Sequence, residues 1–448
     1  MNFAAFKEAV IRAAAEMGIA DYELYYQTSE STSVSAFQHE LNEFTSSMEG
    51  GLCLRCIVGG KMGYASTEDL NPEKAKDLLA RAADNAATIE NEDAVFLGEG
   101  GQTYEPLELK PYDLPATDAL IATVLDTQEK LYAADETVVD GSTTRGIAER
   151  SEFAIFNSRG LDLRYTNNLA ALVVAAVVEK DEEKSDDYQI KLGDLATMDA
   201  AALTKKAAAT AIGKLGGEVA PTGNYPVVFD PDAMSSLLSV FSSVFSSEAA
   251  HKGLSKLAGK EGEAIAAPIV TLVDDPFHPE NPTPINFDAE GSPTHRKNVI
   301  ENGVLTTLLY NLKAAARAGK ATTGNASKAG YDAPVGIRPF SMYLAGGDLT
   351  EDELIAKADN GIFINSLEGL HAGANPISGD FSLQAAGFMI ENGKKTTHVK
   401  SFTVAGNFYD LLKNITALAN NCHLPNAMGM TAFGSPSVLV EGLSIAGK

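Results

Sequence analysis

The chain has 448 residues, 45% hydrophobic and 21% charged, which is core material for one very large domain or two to three ordinary ones. Sixty acidic residues against thirty-five basic ones leave a net charge of −25. No Lys/Arg-rich block offsets it, which argues against nucleic acid or an anionic membrane, since both are bound by neutralising phosphates. Three cysteines cannot form an even disulfide framework. The opening Met1-Asn2-Phe3-Ala4-Ala5-Phe6-Lys7-Glu8 has neither the basic nor the apolar region of a signal peptide. The longest near-uniform apolar run, residues 169–178, is about half of the ~20 residues a spanning helix needs. A soluble, cytoplasmic protein is expected.

Phe3, Phe6, Val10, Ala14 and Met17 recur at helical spacing, Asn2 can cap the run and Gly18 ends it. Tyr22-Leu24-Tyr26 and then Thr32-Val34-Ala36 alternate as strand segments. Leu52-Leu54-Cys56-Val58 makes a third, and Gly59-Gly60 turns into a fourth near Gly63-Tyr64-Ala65. Asn71-Pro72 opens a helix with the stripe Ala75, Leu78, Leu79, Ala82, Ala83 and Ala86. After a Gly/Pro-rich connection at 96–115 the pattern recurs, with a helix at 117–134, strands within 136–190 and a helix at 199–215. This predicts an internal duplication, about 1–95 and 113–218. The charged stretch 179–184 reads as a solvated loop, and residues 216–223 as a domain boundary. The fold class expected is α+β: an N-terminal helix/antiparallel-sheet domain over 1–220, then a β-rich domain over 221–448 with one helix near its start. Asn302-Gly303 and Asn392-Gly393 each read as a tight type I′ hairpin.

Chemistry is harder to place. His39-Glu40 begins like a zincin motif, but no His stands at the fourth position after His39. Glu248 and His251 have the i, i+3 spacing of half a di-iron motif, with no second copy; a helix-surface pair is the ordinary reading. Cys53 and Cys56, three apart in a strand, should point to opposite faces. Cys422-His423 are neighbours, which rarely converge on one ion. Asp274-Asp275 and Asp288-Ala289-Glu290 offer oxygens to a hard cation, although such residues more often end strands and build turns. There is no G-x-x-x-x-G-K-[ST], no G-x-S-x-G and no G-x-G-x-x-G opening a βαβ unit. In residues 234–247, Met234, Leu237, Leu238, Phe241, Val244 and Phe245 form one helical stripe. Ser235, Ser239, Ser242, Ser243 and Ser246 lie mainly on the other side, a small face that suits close packing of another backbone or plain solvent.

Several blocks carry a resemblance. Val273-Asp274-Asp275-Pro276, Phe287-Asp288-Ala289-Glu290-Gly291, Val299-Ile300-Glu301-Asn302-Gly303-Val304-Leu305 and Thr323-Gly324-Asn325 resemble successive blocks of the TldD/PmbA family. Ile377-Ser378-Gly379-Asp380-Phe381 and Phe388-Met389-Ile390-Glu391-Asn392-Gly393 continue them in order. The resemblance implies a two-subunit peptidase that trims peptides and unfolded polypeptides, including in peptide-antibiotic maturation. Its TldD type carries HExxxH on a helix and a Cys near the C-terminus, which together hold zinc. Aligned here, that helix falls on Ser239, Val240 and Val244, and the cysteine position falls near Met430. The chain therefore resembles the PmbA (TldE) type, with no catalytic or metal residue of its own and no cofactor in this chain; zinc is expected in a TldD-type partner. The partner expected is that subunit, as a heterodimer, or a second copy. Two alternatives remain: an independent metallopeptidase using Glu248, His251, His371, Cys422 or His423, and a homodimeric peptide-binding protein. Ser378, Gly379 and Asp380 are the peptide-binding candidates, because Gly379 permits a close backbone approach beside a strand.

Overall fold

The computed structural model describes residues 3–90, 94–107, 112–425 and 431–447. The first helix, α1 (Phe3–Met17), buries Phe6, Val10, Ala13 and Ala14, and Gly18 follows it at φ 67°. β1 (Asp21–Phe37), β2 (Glu40–Val58) and β3 (Lys61–Thr67) come next, then α2 (Ala75–Ala87). The turn entering α2 is capped as expected: the Asn71 side chain accepts from the Glu73 N–H and Pro72 sits at the first position. The same order recurs in α3 (Thr117–Tyr132), β4 (Thr143–Asn157), β5 (Asp162–Lys180), β6 (Glu183–Leu192) and α4 (Ala200–Gly213).

All six strands form one sheet in the order β3-β2-β1-β4-β5-β6, so the two runs meet where β1 pairs antiparallel with β4. Strand periodicity sorts the side chains. Leu24, Leu54, Leu172 and Val174 face the helices; Tyr25, Cys53, Phe153 and Ile155 face Phe287, Ala289 and Ala326 of the C-terminal region. Cys56 packs on the helix side and Cys53 on the other, and both are free thiols, as the strand reading requires.

Two expectations are corrected here. The segments at 22–26 and 32–36 are one strand, because β1 is hydrogen-bonded along its length by β2 on one side and β4 on the other. The stretch 179–184 is a hairpin rather than a loop. Asp181 and Glu182 turn at φ 51° and 66°, while Glu179↔Lys184 and Lys180↔Glu183 are paired.

In the C-terminal region, the strands Gly223–Phe229, Gly361–Glu368, Asp380–Glu391, Lys394–Asn407 and Val438–Ala446 pair in a closed ring. The main core cluster packs Phe229, Ile364, Phe402 and Val440 of these strands with Leu237 and Phe241 of α5 (Pro231–Phe241). The expected single helix is broken. α5 ends at Phe241, a 3-10 turn runs Ser242–Phe245, and Ser246 caps a short α6 (Ser247–His251). Serine hydroxyls explain the break: Ser235, Ser236, Ser239 and Ser242 donate to carbonyls three or four residues back, which bends a helix. Further short helices follow, among them Glu351–Ala358.

Both Asn-Gly turns have two positive φ angles, 49° and 83° at Asn302-Gly303, and 52° and 72° at Asn392-Gly393. A Cβ on Gly303 would lie 2.6 Å from the Ala266 carbonyl oxygen, and one on Gly393 2.9 Å from the Ala356 Cα. Gly303→Val and Gly393→Val should each cost about 1–3 kcal/mol, from left-handed strain plus crowding. Urea midpoints unchanged in both variants would refute this.

Candidate functional site

The aligned motif positions hold nothing that ligates zinc. The Ser239 hydroxyl donates to the Ser236 carbonyl at 2.8 Å. Val240 is half-buried against the core, and Val244 is fully buried in the 3-10 turn. A hydroxyl turned into its own helix and two valines do not fit a zinc site. The position near Met430 lies outside the described residues.

The other candidate ligands are dispersed. Glu248 pairs with Lys252 at 3.0 Å and Arg317 at 3.4 Å, so its oxygens already meet cations. His251 and His371 are exposed. The Cys422 thiol donates to the Leu344 carbonyl at 3.3 Å, and burial pushes it up to about 11. His39, in the turn between β1 and β2, pairs with Glu129 at 2.8 Å. Among the described residues no group of three or more His, Cys, Asp or Glu is disposed to hold a metal. The acidic pairs do end strands and build turns. Asp274 closes its strand and accepts from the Phe340 and Ser341 N–H groups, and Asp288 accepts from the Glu290, Ser292 and Ala326 N–H groups. Burial, with Glu290 beside it, pushes Asp288 up to about 7.

The peptide-binding candidates form a tight turn. The Ser378 carbonyl accepts from Lys256 at 2.6 Å and from Asn407 at 2.9 Å, and Asp380 accepts from Asn407 at 2.8 Å. Gly379 does permit a close approach, but to protein: a Cβ there would lie 2.5 Å from the Tyr409 ring. None of the three lines the large cleft.

That cleft, about 1610 Å3, opens between the N-terminal sheet and the C-terminal region. β6 stops opposite Ala171; beyond it Tyr112 meets β5, its hydroxyl accepting from the Ala170 N–H and its carbonyl from Asn168 Nδ2, and Thr166, Asn167 and Asn168 line the space. Lys191, Lys206 and Arg150 complete this wall. The facing wall is the proline-rich segment 276–284, with His423 and the first turn of α5 at Asp232. Glu280 ties that wall together by accepting from the Leu424 N–H at 2.7 Å. Sequence reading missed the cleft; its one local signal is the prolines at 276, 279, 282 and 284, which stiffen a loop.

His423 Nε2 lies 3.3 Å from Asp232 Oδ1 across this wall. The contact raises His423 above the usual imidazole range and lowers Asp232 below the usual carboxylate range. His423 is raised, so its share of stability is full at low pH and lost as pH rises through its folded value. Asp232 is lowered, so its share is lost as pH falls through its folded value. The pair therefore acts between those limits, weakly, because both side chains are nearly half exposed. An NMR titration should place the His423 midpoint above ~6.5, and Asp232→Asn should bring it down. An unchanged midpoint would exclude the pairing.

Three domain families match the chain: PmbA/TldA metallopeptidase domain 1 over residues 22–86, the central domain over 110–215 and the C-terminal domain over 222–447. A Methanothermobacter thermautotrophicus metalloprotease is 28% identical over 89% of this chain and 87% of its own length. The Escherichia coli O157:H7 metalloprotease PmbA is 24% identical over 93% and 90%. Among solved structures, a Thermotoga maritima protein described as a candidate modulator of a DNA gyrase superposes with a TM-score of 0.89 at 31% identity, covering 99% of this chain and all of that one. TldE from Thermococcus kodakarensis gives 0.87 at 25% identity, covering 99% of this chain and 100% of that one.

Proposed function

The chain belongs to the PmbA/TldD metallopeptidase family, and from that premise we propose that it is the subunit type without a metal centre, partnering a TldD-type chain in a cytoplasmic complex that trims peptides or unfolded polypeptides. One observation carries the reading. Where the metal-bearing type places HExxxH, this chain places a hydroxyl bonded to its own helix, a half-buried valine and a fully buried valine. The full-length likeness to TldE supports the same subunit type. No described helix is long and apolar enough to cross a membrane.

In this role the chain stabilises the partner and encloses substrate, while the zinc chemistry belongs to the partner. The test is elemental analysis with a chelator-sensitive assay on labelled casein, run on the lone chain and on the chain co-expressed with an HExxxH-bearing homologue from the same genome. The lone chain should carry no stoichiometric zinc and cut nothing, and the mixture should cut faster than the homologue alone. About one zinc per chain, with activity lost on chelation and in His251→Ala, would replace this reading with that of an independent metallopeptidase.

A further inference from the structure

One turn of the C-terminal region, residues 288–292, rests on the N-terminal sheet with two buried acids. Asp288 is 1% exposed and Glu290 4%. Ala289 between them packs with Tyr25 and Cys53 of the sheet, and Tyr104 donates to the Gly291 carbonyl at 2.8 Å. Charges across this junction do not balance. Glu23 and Arg55 of the sheet pair at 2.7 Å, and Glu23 also accepts from Asn157 Nδ2. Arg55 Nη2 has no hydrogen-bond partner among the described residues. Glu290 acts on that guanidinium only through space. The other cations buried here are committed elsewhere. Lys328 donates to the Tyr331 carbonyl at 2.6 Å and lies over the Tyr25 ring, and Lys297 pairs with Asp274 at 3.2 Å. Arg338 acts on Tyr25 and Asp274. Glu23, Asp288 and Glu290 therefore have one guanidinium among them.

The two acids of the turn differ in what holds their charge. Asp288 accepts from the Glu290, Ser292 and Ala326 N–H groups, each at 2.9 Å, and such donors favour a carboxylate. Glu290 accepts from one, Leu312, at 2.8 Å, and lies in the fields of Arg55 and Glu23. Burial raises Glu290 above the usual carboxylate range and pushes Asp288, beside it, up to about 7. Two like charges in one buried turn titrate as a pair. Glu290, with fewer donors, is the seat of the first proton.

We propose that the 288–292 turn is a pH-sensitive latch between the N-terminal sheet and the C-terminal region: a proton on Glu290 keeps it seated, and loss of that proton leaves three buried carboxylates around one guanidinium and loosens it. The seated turn holds a proton that the released turn gives up. Its hold is therefore full below the usual carboxylate range, falls as pH rises to about 7 and stays low above that. The turn continues directly from the 276–284 segment that forms one wall of the cleft, so its release frees that wall as well.

Two free thiols report the latch. Cys53 is buried beneath this turn, and Cys56 is buried on the opposite face, among side chains of α1 and α2. Trypsin cuts at Arg55 between them, so mass spectrometry reads each separately. The full-length chain is pulsed with N-ethylmaleimide at about pH 5.5 and about pH 8, either side of most of the expected transition. At the higher pH Cys53 should react about tenfold faster than Cys56 or more, because the turn lifts without global unfolding. The Cys53 rate should rise with pH roughly tenfold more in wild type than in Glu290→Gln, which carries no charge and still accepts from Leu312. The thiolate's own pH dependence cancels in that comparison. Glu23→Gln relieves the same crowding from the sheet side and should also flatten the rise, so the result does not depend on one variant folding. Glu182→Gln, on an exposed hairpin, should behave as wild type. Equal rates at Cys53 and Cys56, or the same pH rise in wild type and both junction variants, would overturn the proposal.

Discussion

Arg55→Leu is expected to lower stability by roughly 3–5 kcal/mol, the range for breaking a buried ion pair by removing one partner. Arg55 Nε donates to Glu23 Oε1 at 2.7 Å, and their side chains are 8% and 1% exposed. The pair joins β2 to β1 on the sheet face that meets the C-terminal region, and Glu290 of that region also lies within the field of Arg55. Without the guanidinium, Glu23 keeps only Asn157 Nδ2, at 3.2 Å, among the described residues, and Glu290 keeps the Leu312 N–H. The double change Glu23→Leu with Arg55→Leu should recover most of the loss, because a buried ion pair replaced by apolar groups is often near neutral. Urea unfolding of the three proteins measures it. A single-variant deficit below about 1 kcal/mol would show that the pair is no more than a surface contact.

Several turns and helix starts are legible because their signals are local. Asn71-Pro72, Gly59-Gly60 and the two Asn-Gly pairs each state a backbone conformation that few other residues accept, and each is found where the sequence places it. The length of β1 was not legible. Residues 27–33 are almost all polar, so alternation vanishes there, yet the ladders on both sides carry the strand through. The end of α5 was hidden for a different reason. Val244 and Phe245 continue the apolar stripe, while the break comes from hydroxyl-to-carbonyl bonds that hydrophobic periodicity does not register. Asp274 and Asp288 read correctly as strand end and turn, but their burial depends on donors from distant segments, Ser341 and Ala326 among them. The cleft is the extreme case. Arg150, Lys191 and Asp232 come from separate elements and carry no common pattern, so only their convergence reveals them.

Installing the absent motif is expected to harm the protein without equipping it. The triple variant Ser239→His, Val240→Glu, Val244→His should lose roughly 3 kcal/mol or more and take up no stoichiometric zinc. Position 244 decides the stability. Val244 is 0% exposed, and the Phe241 ring just before it stacks on Phe408 with centroids 4.6 Å apart. An imidazole there is larger than the valine and brings ring nitrogens into an apolar cluster; overpacking costs about 1–3 kcal/mol and an unpaired polar group about as much again. Geometry decides the metal. Position 239 stands in α5 and position 244 in the 3-10 turn beyond its end, on a segment fixed by core packing rather than by ligation. Zinc needs its protein ligands converging at about 2 Å with an open fourth position, and two new side chains on a rigid, differently wound segment do not provide that. Elemental analysis beside urea unfolding gives the answer. A variant holding about one zinc per chain at wild-type stability would mean that this helix retains the metal-site geometry, and the argument that its winding forbids a zinc site would then fail.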